Sequence, residues 1–528
     1  MSTSMKIGVD VGGTNTDAVL TDGRQVIAGV KAPTTTDVSS GIVQALQQLL
    51  GRAKVGTEAI DTVVIGTTHF TNAFVQGKGL GEVAVVRLGA PSTLALPPLC
   101  GWPERLTKCI GDYRQVVGGG HDFDGRPYAP LDERALRTVA KEIRDRGLRA
   151  AAISSVFSPV NQSFEERAAE ILRDENPDLQ ITLSHAIGRI GLLERENAAV
   201  MNASLAEMSR HVVASFRAAL DKLGITVPFY ISQNDGTILD ADRVAQFPVL
   251  TFASGPTNSM RGAALLSGLA NSIVVDIGGT TSDVGVISNG YPRESAVAAD
   301  IGGVRTNFRM PDILSLGLGG GSLVTDDAIG PRSVGHMLQQ DALVFGGSTL
   351  TTTDIAVAAG QVDIGDKSLV KHLDKAMVAR AIDRIHEMLD VAIDRMKTSS
   401  APVPVVLVGG GTVLVSRKLR SASEIVIPEN AGVANAMGAA LAQVGGEVDQ
   451  VMSYRGRKRE DVLAEASDLA RKRAVDAGAI ASTIAIVDVE ELPLAYVPGE
   501  AVRVRIKAVG DLAPQNPKGG KRKAEHAA

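Results

Sequence analysis

The chain has 528 residues, 44% of them hydrophobic and 21% charged, and a formal charge of −5. That describes an ordinary globular protein with room for two to four domains, and it lacks the global basicity of a nucleic-acid binder. Two cysteines, Cys100 and Cys109, make no disulfide framework and point to a reducing, cytoplasmic setting, and neither a signal peptide nor an apolar run of about 18 residues is expected.

The opening stretch, Ile7 to Gly23 (IGVDVGGTNTDAVLTDG), returns 266 residues later as Ile273 to Asn289 (IVVDIGGTTSDVGVISN). Asp10, Gly12, Gly13, Thr14 and Asp17 recur as Asp276, Gly278, Gly279, Thr280 and Asp283. Each copy predicts a strand, a tight turn and a second strand, with the glycine pair expected at positive φ and β-branched residues on both sides. A Walker phosphate loop needs GxxxxGK[ST] opening a helix, and the sequence has none. Phosphate is expected instead on the backbone N–H groups of Gly12, Gly13, Gly278 and Gly279 and the hydroxyls of Thr14, Thr16, Thr280 and Thr281. Asp10 and Asp276 would hold Mg²⁺ on the phosphate oxygens. One such hairpin alone reads equally as a plain turn; two of them predict a pair of halves facing one nucleotide.

Val38 to Leu50 has amphipathic helix spacing. Thr62 to Ile65 reads as a buried strand emptying into the polar segment Gly66 to Ala73, a candidate wall of the active site that carries Thr68, His69 and Asn72. Residues 81–190 read as an inserted α/β module: strands at Val83–Leu88, Ala150–Val156 and Leu179–Leu183, helices at Leu131–Arg146 and Phe164–Asp174. Its loop Gly118–Gly125 brings His121, Asp122 and Asp124 together, either as a solvated turn or as metal ligands, and no second ligand pair has metal spacing nearby. One helix is predicted from Leu192 through about Leu220, starting with Glu194 and Arg195. Tyr230 to Thr237 leaves a strand for a polar turn, and Ser254-Gly-Pro256 reads as the N-cap of a helix crossing to the second half.

In that half, Gly317–Ser322 is a glycine turn, Val378–Met396 an amphipathic helix, and Val403–Val408 a strand running into Gly409, Gly410 and Gly411, a turn bare enough to lie against adenosine. Ala431 to Ala440 is rich in small residues, as close helix packing requires. A helix at Glu460–Ala477 and strands at Thr483–Val489 and Ala501–Ala508 predict a terminal module, followed by a basic, disordered tail.

The hairpins and the later glycine turn together resemble the actin, hexokinase and Hsp70-type ATPase superfamily. DVGGTNTDAVL, GTTHFTNAFVQ, GLLERENAAVMNA, SGPTNSMRGA, VVDIGGTTSDV and VGGG, in that order, look like the A-type subunit of the hydantoinase/oxoprolinase family in its short form. Where longer members have a cysteine-containing stretch, Ser315 to Met337 has none. The resemblance implies an α/β fold of two RNase H-like lobes with an inserted and a small C-terminal α/β module. The expected division is 1–80 and 191–262 for the first lobe, 81–190 for the insertion, 263–446 for the second lobe, 447–510 for the terminal module and 511–528 for the tail. It also implies ATP and Mg²⁺ as cofactors and ATP-dependent opening of a cyclic amide by phosphorylation of its carbonyl oxygen. Asp10, Asp276 and His69 would be catalytic, and Thr68, Asn72, Glu194 and Arg195 would contact substrate. A B-type partner subunit and a homo-oligomer are expected. A small-molecule kinase, a ketone-carboxylase activating subunit and a non-catalytic ATPase chaperone or reactivase remain the alternatives.

Overall fold

The computed structural model describes residues 5–513 apart from 13–14, 24, 34–37, 296, 326–327, 442, 496 and 498. Gly13 and Thr14, together with the tail beyond residue 513, lie outside the described residues.

Alternating apolar residues at Ile7, Val9 and Val11 give a first strand, β1 (Met5–Val11), which turns back antiparallel into β2 (Asn15–Thr21) and then β3 (Val26–Pro33). Parallel neighbours β4 (Ile60–Thr67) and β5 (Phe229–Ser232) extend the sheet on the other side, and β6 (Ile238–Asp240) closes it. The second lobe repeats the plan. β7 (Ser272–Ile277) pairs antiparallel with β8 (Ser282–Ser288), which pairs antiparallel with β9 (Ile313–Leu316). β10 (Val403–Val408) and β11 (Ala422–Val426) follow in parallel on the far side of β7. The order β3-β2-β1-β4-β5 thus recurs as β9-β8-β7-β10-β11, with every orientation kept. The fold is α/β with two RNase H-like lobes of the actin/hexokinase/Hsp70 type. Amphipathic helices cover each sheet: Ile42, Leu46 and Leu49 pack on the first, and Ile385, Leu389 and Ile393 on the second.

Between β4 and β5 stands an all-parallel four-stranded sheet, ordered Arg114–Gly118, Val83–Ala90, Ala150–Ser155, Gln180–Leu183. Helices Glu133–Asp145 and Ser163–Glu175 pack on it through Leu136, Val139, Ile171 and Leu172. At the other end of the chain, Gln443–Ser453, Ala501–Asp511 and Ala485–Pro493 make an antiparallel sheet against the helix Arg459–Asp476.

Several local expectations change. The glycines of the second hairpin are not at positive φ; a Cβ at Gly278 would sit 3.3 Å from the Thr281 carbonyl oxygen, and one at Gly12 3.1 Å from that of Asn15, so the demand at those two is for space, while Gly279 has open space around it. Gly66–Ala73 is helical from His69 on, the start of the helix His69–Gln76, which buries Phe70 and Phe74 and leaves Asn72 exposed. The helix expected through Leu220 breaks at Leu205 into Leu192–Ser204 and Ala206–Lys222, where the Ser204 hydroxyl bonds back to Met201 O. Ser254 is the first residue of its helix and Ala253 its cap; Ser254 Oγ instead accepts from Thr67 N (3.3 Å) and donates to Thr67 O (3.0 Å). Gln443–Ser453 was hidden as a strand by Gly445-Gly446, yet glycine is needed there because a Cβ at Gly446 would lie 2.2 Å from Ala470 O on the covering helix.

The lobes meet where the crossing helix Ser254–Ser267 lies on the short helix Ala434–Ala439. A Cβ on Gly262 would fall 1.8 Å from Ala434 O, and one on Gly438 1.9 Å from Asn258 O. Gly262→Ala and Gly438→Ala should each lower the melting temperature sharply, whereas Gly51→Ala, in an exposed stretch of helix Val38–Ala53 with open space around it, should raise stability by about 0.5–1 kcal/mol. Thermal melting of the three variants tests this, and equal melting of Gly262→Ala and wild type would disprove the tight crossing.

Candidate nucleotide site and inter-lobe cleft

Strand alternation decides what faces the cleft. On β2, Asn15 and Asp17 point to one side and Thr16 to the other, where it is fully buried; Asn15 and Asp17, not Thr16, line the space between the lobes. Register places Asp10 opposite Asp17 and Asp276 opposite Asp283. The hairpins close alike, with Gly12 N donating to Asn15 O (3.0 Å) and Gly278 N to Thr281 O (2.9 Å). Thr280 and Thr281 are exposed at the tip of the second hairpin.

Beside each leading aspartate lies a glycine crowded by that aspartate's carboxylate. A Cβ on Gly66 would sit 2.5 Å from Asp10 Oδ1, and one on Gly409, at φ 86°, 2.4 Å from Asp276 Oδ1. Gly410 and Gly411 continue along the same wall. The cleft between the hairpins encloses about 450 Å³, and Phe345, Ile364 and Val413 give it apolar surface of the kind a purine ring needs. The Gly317–Ser322 turn backs the second hairpin: Gly320 N donates to Gly278 O (3.0 Å) and Gly321 N to Gly279 O (2.7 Å).

Asp10 is held from two helices. Asn258 Nδ2 donates to its Oδ1 (3.3 Å), and Asn435 Nδ2 donates to its Oδ2 (3.0 Å) and to Asp17 Oδ2 (3.0 Å). Burial, then the charge of Asp17, pushes the Asp10 carboxyl up to about 6 against these bonds. Burial likewise raises Asp276, against a hydrogen bond from Ser259, and lifts Asp283 to about 6. Lys31, 2.6 Å from the Asp17 carboxylate, is the one basic side chain among the described residues lining this cleft. The arrangement gathers more negative charge than it neutralises. It fits Mg²⁺ in the manner usual for nucleotide sites, one or two carboxylates plus phosphate oxygens. Among the described residues, no group of three or more His, Cys, Asp or Glu is arranged to hold a metal by itself. That includes the His121 loop, where the imidazole is buried against Phe164 at a ring distance of 4.2 Å.

The remaining sequence-derived positions separate. His69 is the first residue of its helix, two residues beyond β4, half-buried, and its imidazole is pushed toward the neutral form by burial. Asn72 Nδ2 donates to Thr68 Oγ1 (3.3 Å), one helical turn apart. Glu194 is partly exposed and lies 3.8 Å from Arg305. Arg195, by contrast, is fully buried, its guanidinium donating to Ser184 Oγ (2.9 Å), Arg189 O (2.9 Å), Ile190 O (2.7 Å) and Ser155 O. Burial draws it down to about 10. Its neighbours do similar work: Glu196 takes two bonds from buried Arg87 (2.7 and 2.5 Å), and Asn197 Oδ1 accepts from the Trp102 indole (2.7 Å). Trp102 packs edge-on against Phe74, at 5.9 Å, so apolar side chains stand between Asn197 and the His69 helix. Lys31, Asn258, Ser259 and Asn435 were missed by sequence reasoning. Asp17 and Asp283 had their signal in the repeat.

The hydantoinase/oxoprolinase N-terminal region matches residues 6–176, and the hydantoinase/oxoprolinase region matches residues 195–403. The chain belongs to the hydantoinase/oxoprolinase family. It is 30% identical over 68% of its length to the acetophenone carboxylase gamma subunit of Aromatoleum aromaticum, and 28% identical over 74% to the caprolactamase subunit alpha of Pseudomonas jessenii. It spans 53% and 60% of those two relatives. The solved structure of ATP-dependent caprolactamase from Pseudomonas jessenii superposes with a TM-score of 0.77 at 21% identity, covering 99% of this chain and 90% of that one. No helix among the described residues is long and apolar enough to cross a membrane.

The raised Asp10 carboxyl has a sign that can be measured. Its folded value, about 6, exceeds the unfolded 3.8, so it costs nothing below about pH 4 and destabilises the fold increasingly as pH rises to 6, by about 3 kcal/mol in all. Without nucleotide and with a chelator present, wild type should lose stability relative to Asp10→Asn between pH 4 and 7. Parallel pH profiles of the two proteins would show that Asp10 is not desolvated.

Proposed function

We propose that the chain is the ATP-using subunit of a cyclic-amide-opening enzyme. The observation that carries this reading is the pair of equivalent hairpins that bring Asp17 and Asp276 to the lining of one cleft, with Asp10 buried beside Asp17 and joined to it through Asn435. An amide carbonyl is a poor electrophile, and bound Mg·ATP supplies the phosphoryl group that makes its oxygen a leaving group. Asp10 and Asp276 would hold the metal, with Asn258 and Asn435 fixing the Asp10 carboxylate. Gly12, Gly278 and Gly279 leave room for phosphate oxygens, Lys31 offsets their charge, and Gly409, Gly410 and Gly411 lie along the nucleoside. His69, kept neutral by burial, orients the carbonyl or the attacking water, and Thr68, Asn72 and Glu194 contact the ring. Arg195, buried and donating four hydrogen bonds, positions the inserted module; contact with substrate is not assigned to it. A B-type subunit would complete hydrolysis, in keeping with relatives that are named as subunits.

A second reading, activation of a ketone for carboxylation, is favoured by the likeness to acetophenone carboxylase. Phosphate release from ATP across hydantoins, lactams and ketones, with and without a B-type subunit, separates the two. Stimulation by cyclic amides supports the first reading, stimulation confined to ketones with bicarbonate supports the second, and stimulation by none would overturn both. Asp10→Asn and Asp276→Asn should each lower turnover by about 10²-fold or more, or raise the magnesium requirement, without unfolding the chain. His69→Ala should lower substrate-stimulated ATP hydrolysis while titration calorimetry finds ATP affinity nearly unchanged; an equal loss of both would assign His69 to the nucleotide site or to folding.

A further inference from the structure

Apart from the nucleotide cleft, a cavity of about 270 Å³ opens where the inserted module, the lobes and the C-terminal module meet. It lies at the carboxyl ends of the inserted strands Ala150–Ser155 and Gln180–Leu183, the position at which parallel α/β sheets take ligands. Ser158 and Arg189 form one wall, and Arg309, Glu447, Asp449 and Arg473 face them. The polar turn around Asp235 lines a neighbouring cavity of about 230 Å³ that shares Arg309 and Glu447.

The charges on these walls do not balance locally. Asp449 is already gripped by Arg503 through two bonds of 2.7 and 2.6 Å. Arg189 reaches Glu294 at 3.0 Å and Asp449 at 3.5 Å, and Arg309 pairs with Asp235 at 3.2 Å and with Glu447. Arg473 donates to the Glu447 backbone carbonyl, and among the described residues no carboxylate lies within ion-pair distance of it. Partial burial and the nearby charge of Arg309 both press on its guanidinium. Three guanidinium groups therefore share a small cavity whose carboxylates are largely committed. A planar two-oxygen anion matches such forks, and the rims of Glu447 and Asp449 complement a cation on the same molecule.

We propose that this junction cavity binds a small zwitterionic carboxylate of amino-acid size, its carboxylate on Arg473 and Arg309 and its ammonium toward Glu447 and Asp449. The ligand chemistry has two sources: the open-chain amino acid that ring opening of a lactam yields, under the function proposed above, or a free amino acid acting as effector. The binding itself does not depend on ATP. Titration calorimetry of the full chain without nucleotide, using 5-aminopentanoate, norvaline, pentanoate and pentylamine, reads it directly. Binding of 5-aminopentanoate or norvaline at millimolar concentration, and not of pentylamine, is expected; preference for 5-aminopentanoate assigns the product source, and preference for norvaline, an α-amino acid that no ordinary lactam yields, the effector. Arg473→Gln should weaken that binding about tenfold or more, and Arg473→Lys should restore part of it. Because Arg473 is exposed and outside the ion pairs, the unliganded Gln variant should melt as wild type does. Failure of both zwitterions to bind, binding equal to that of pentylamine, or binding indifferent to Arg473→Gln would each overturn the proposal.

Discussion

The distance between the two sheets is set by backbone touching backbone. At the crossing of Ser254–Ser267 with Ala434–Ala439, Gly262 faces the Ala434 carbonyl and Gly438 faces that of Asn258, at separations that leave no room for a methyl group. A Cβ on Gly8 of β1 would likewise lie 2.0 Å from Ala436 O. Only with the helices this close do Asn258 and Asn435 reach Asp10 from opposite sides. The acidic cleft therefore follows from small residues that themselves touch no ligand. Close-packed interiors transmit such constraints because they have little volume to yield.

What the sequence made legible is local. A strand, a glycine turn and a strand lie within seventeen residues, and their repetition revealed both lobes before any contact was known. Lys31, Asn258 and Asn435 were illegible for the opposite reason: the Asn435 amide meets Asp10 across 425 positions of chain, and an isolated lysine or asparagine carries no periodic signal. In the motif Glu194-Arg195-Glu196-Asn197 the burial was illegible because charged residues are rarely buried. Arg195 and Glu196 are among the exceptions, each matched by several hydrogen bonds, and only the three-dimensional neighbourhood supplies those partners. Among the glycines singled out, Gly12 and Gly278 are crowded by a carbonyl and not left-handed, Gly409 is both left-handed and crowded, and Gly279 and Gly410 have open space around them.

The protein treats buried charge in two ways. Where Arg87 meets Glu196, and where Lys507 meets Asp235 at 3.2 Å, opposite charges are removed from water together and hydrogen-bonded. Removing one partner there would leave an unpaired buried ion, a far larger penalty than the net worth of the pair. In the inter-lobe cleft the carboxylates outnumber the cations, and burial raises Asp10 instead of a partner lowering it. Uncompensated charge of this kind lowers the stability of the free protein and is relieved by a bound cation, which is the pattern of a site kept for binding.

The crossing helix lines the inter-lobe cleft through Ser259 and bonds, through Thr257, to the polar turn at Asn234 and Asp235. Asn258 and Ser259 turn to the aspartates of the cleft, while Thr257 donates to Asn234 O (2.9 Å) and Arg261 reaches Gly290 O and Gln443 on the side of the C-terminal module. One turn of helix thus carries contacts to the aspartates of the inter-lobe cleft and to the neighbourhood of Asp235. Shared placement is not in itself coupling: a ligand on one side shifts the other only by the difference in its affinity for two arrangements of that helix. The tight packing of Gly262 and Gly438 bears on this directly, because it leaves the helix little freedom to slide along its neighbour, and any second arrangement would have to carry Ala434–Ala439, and with it Asn435 and its hold on Asp10, as one body.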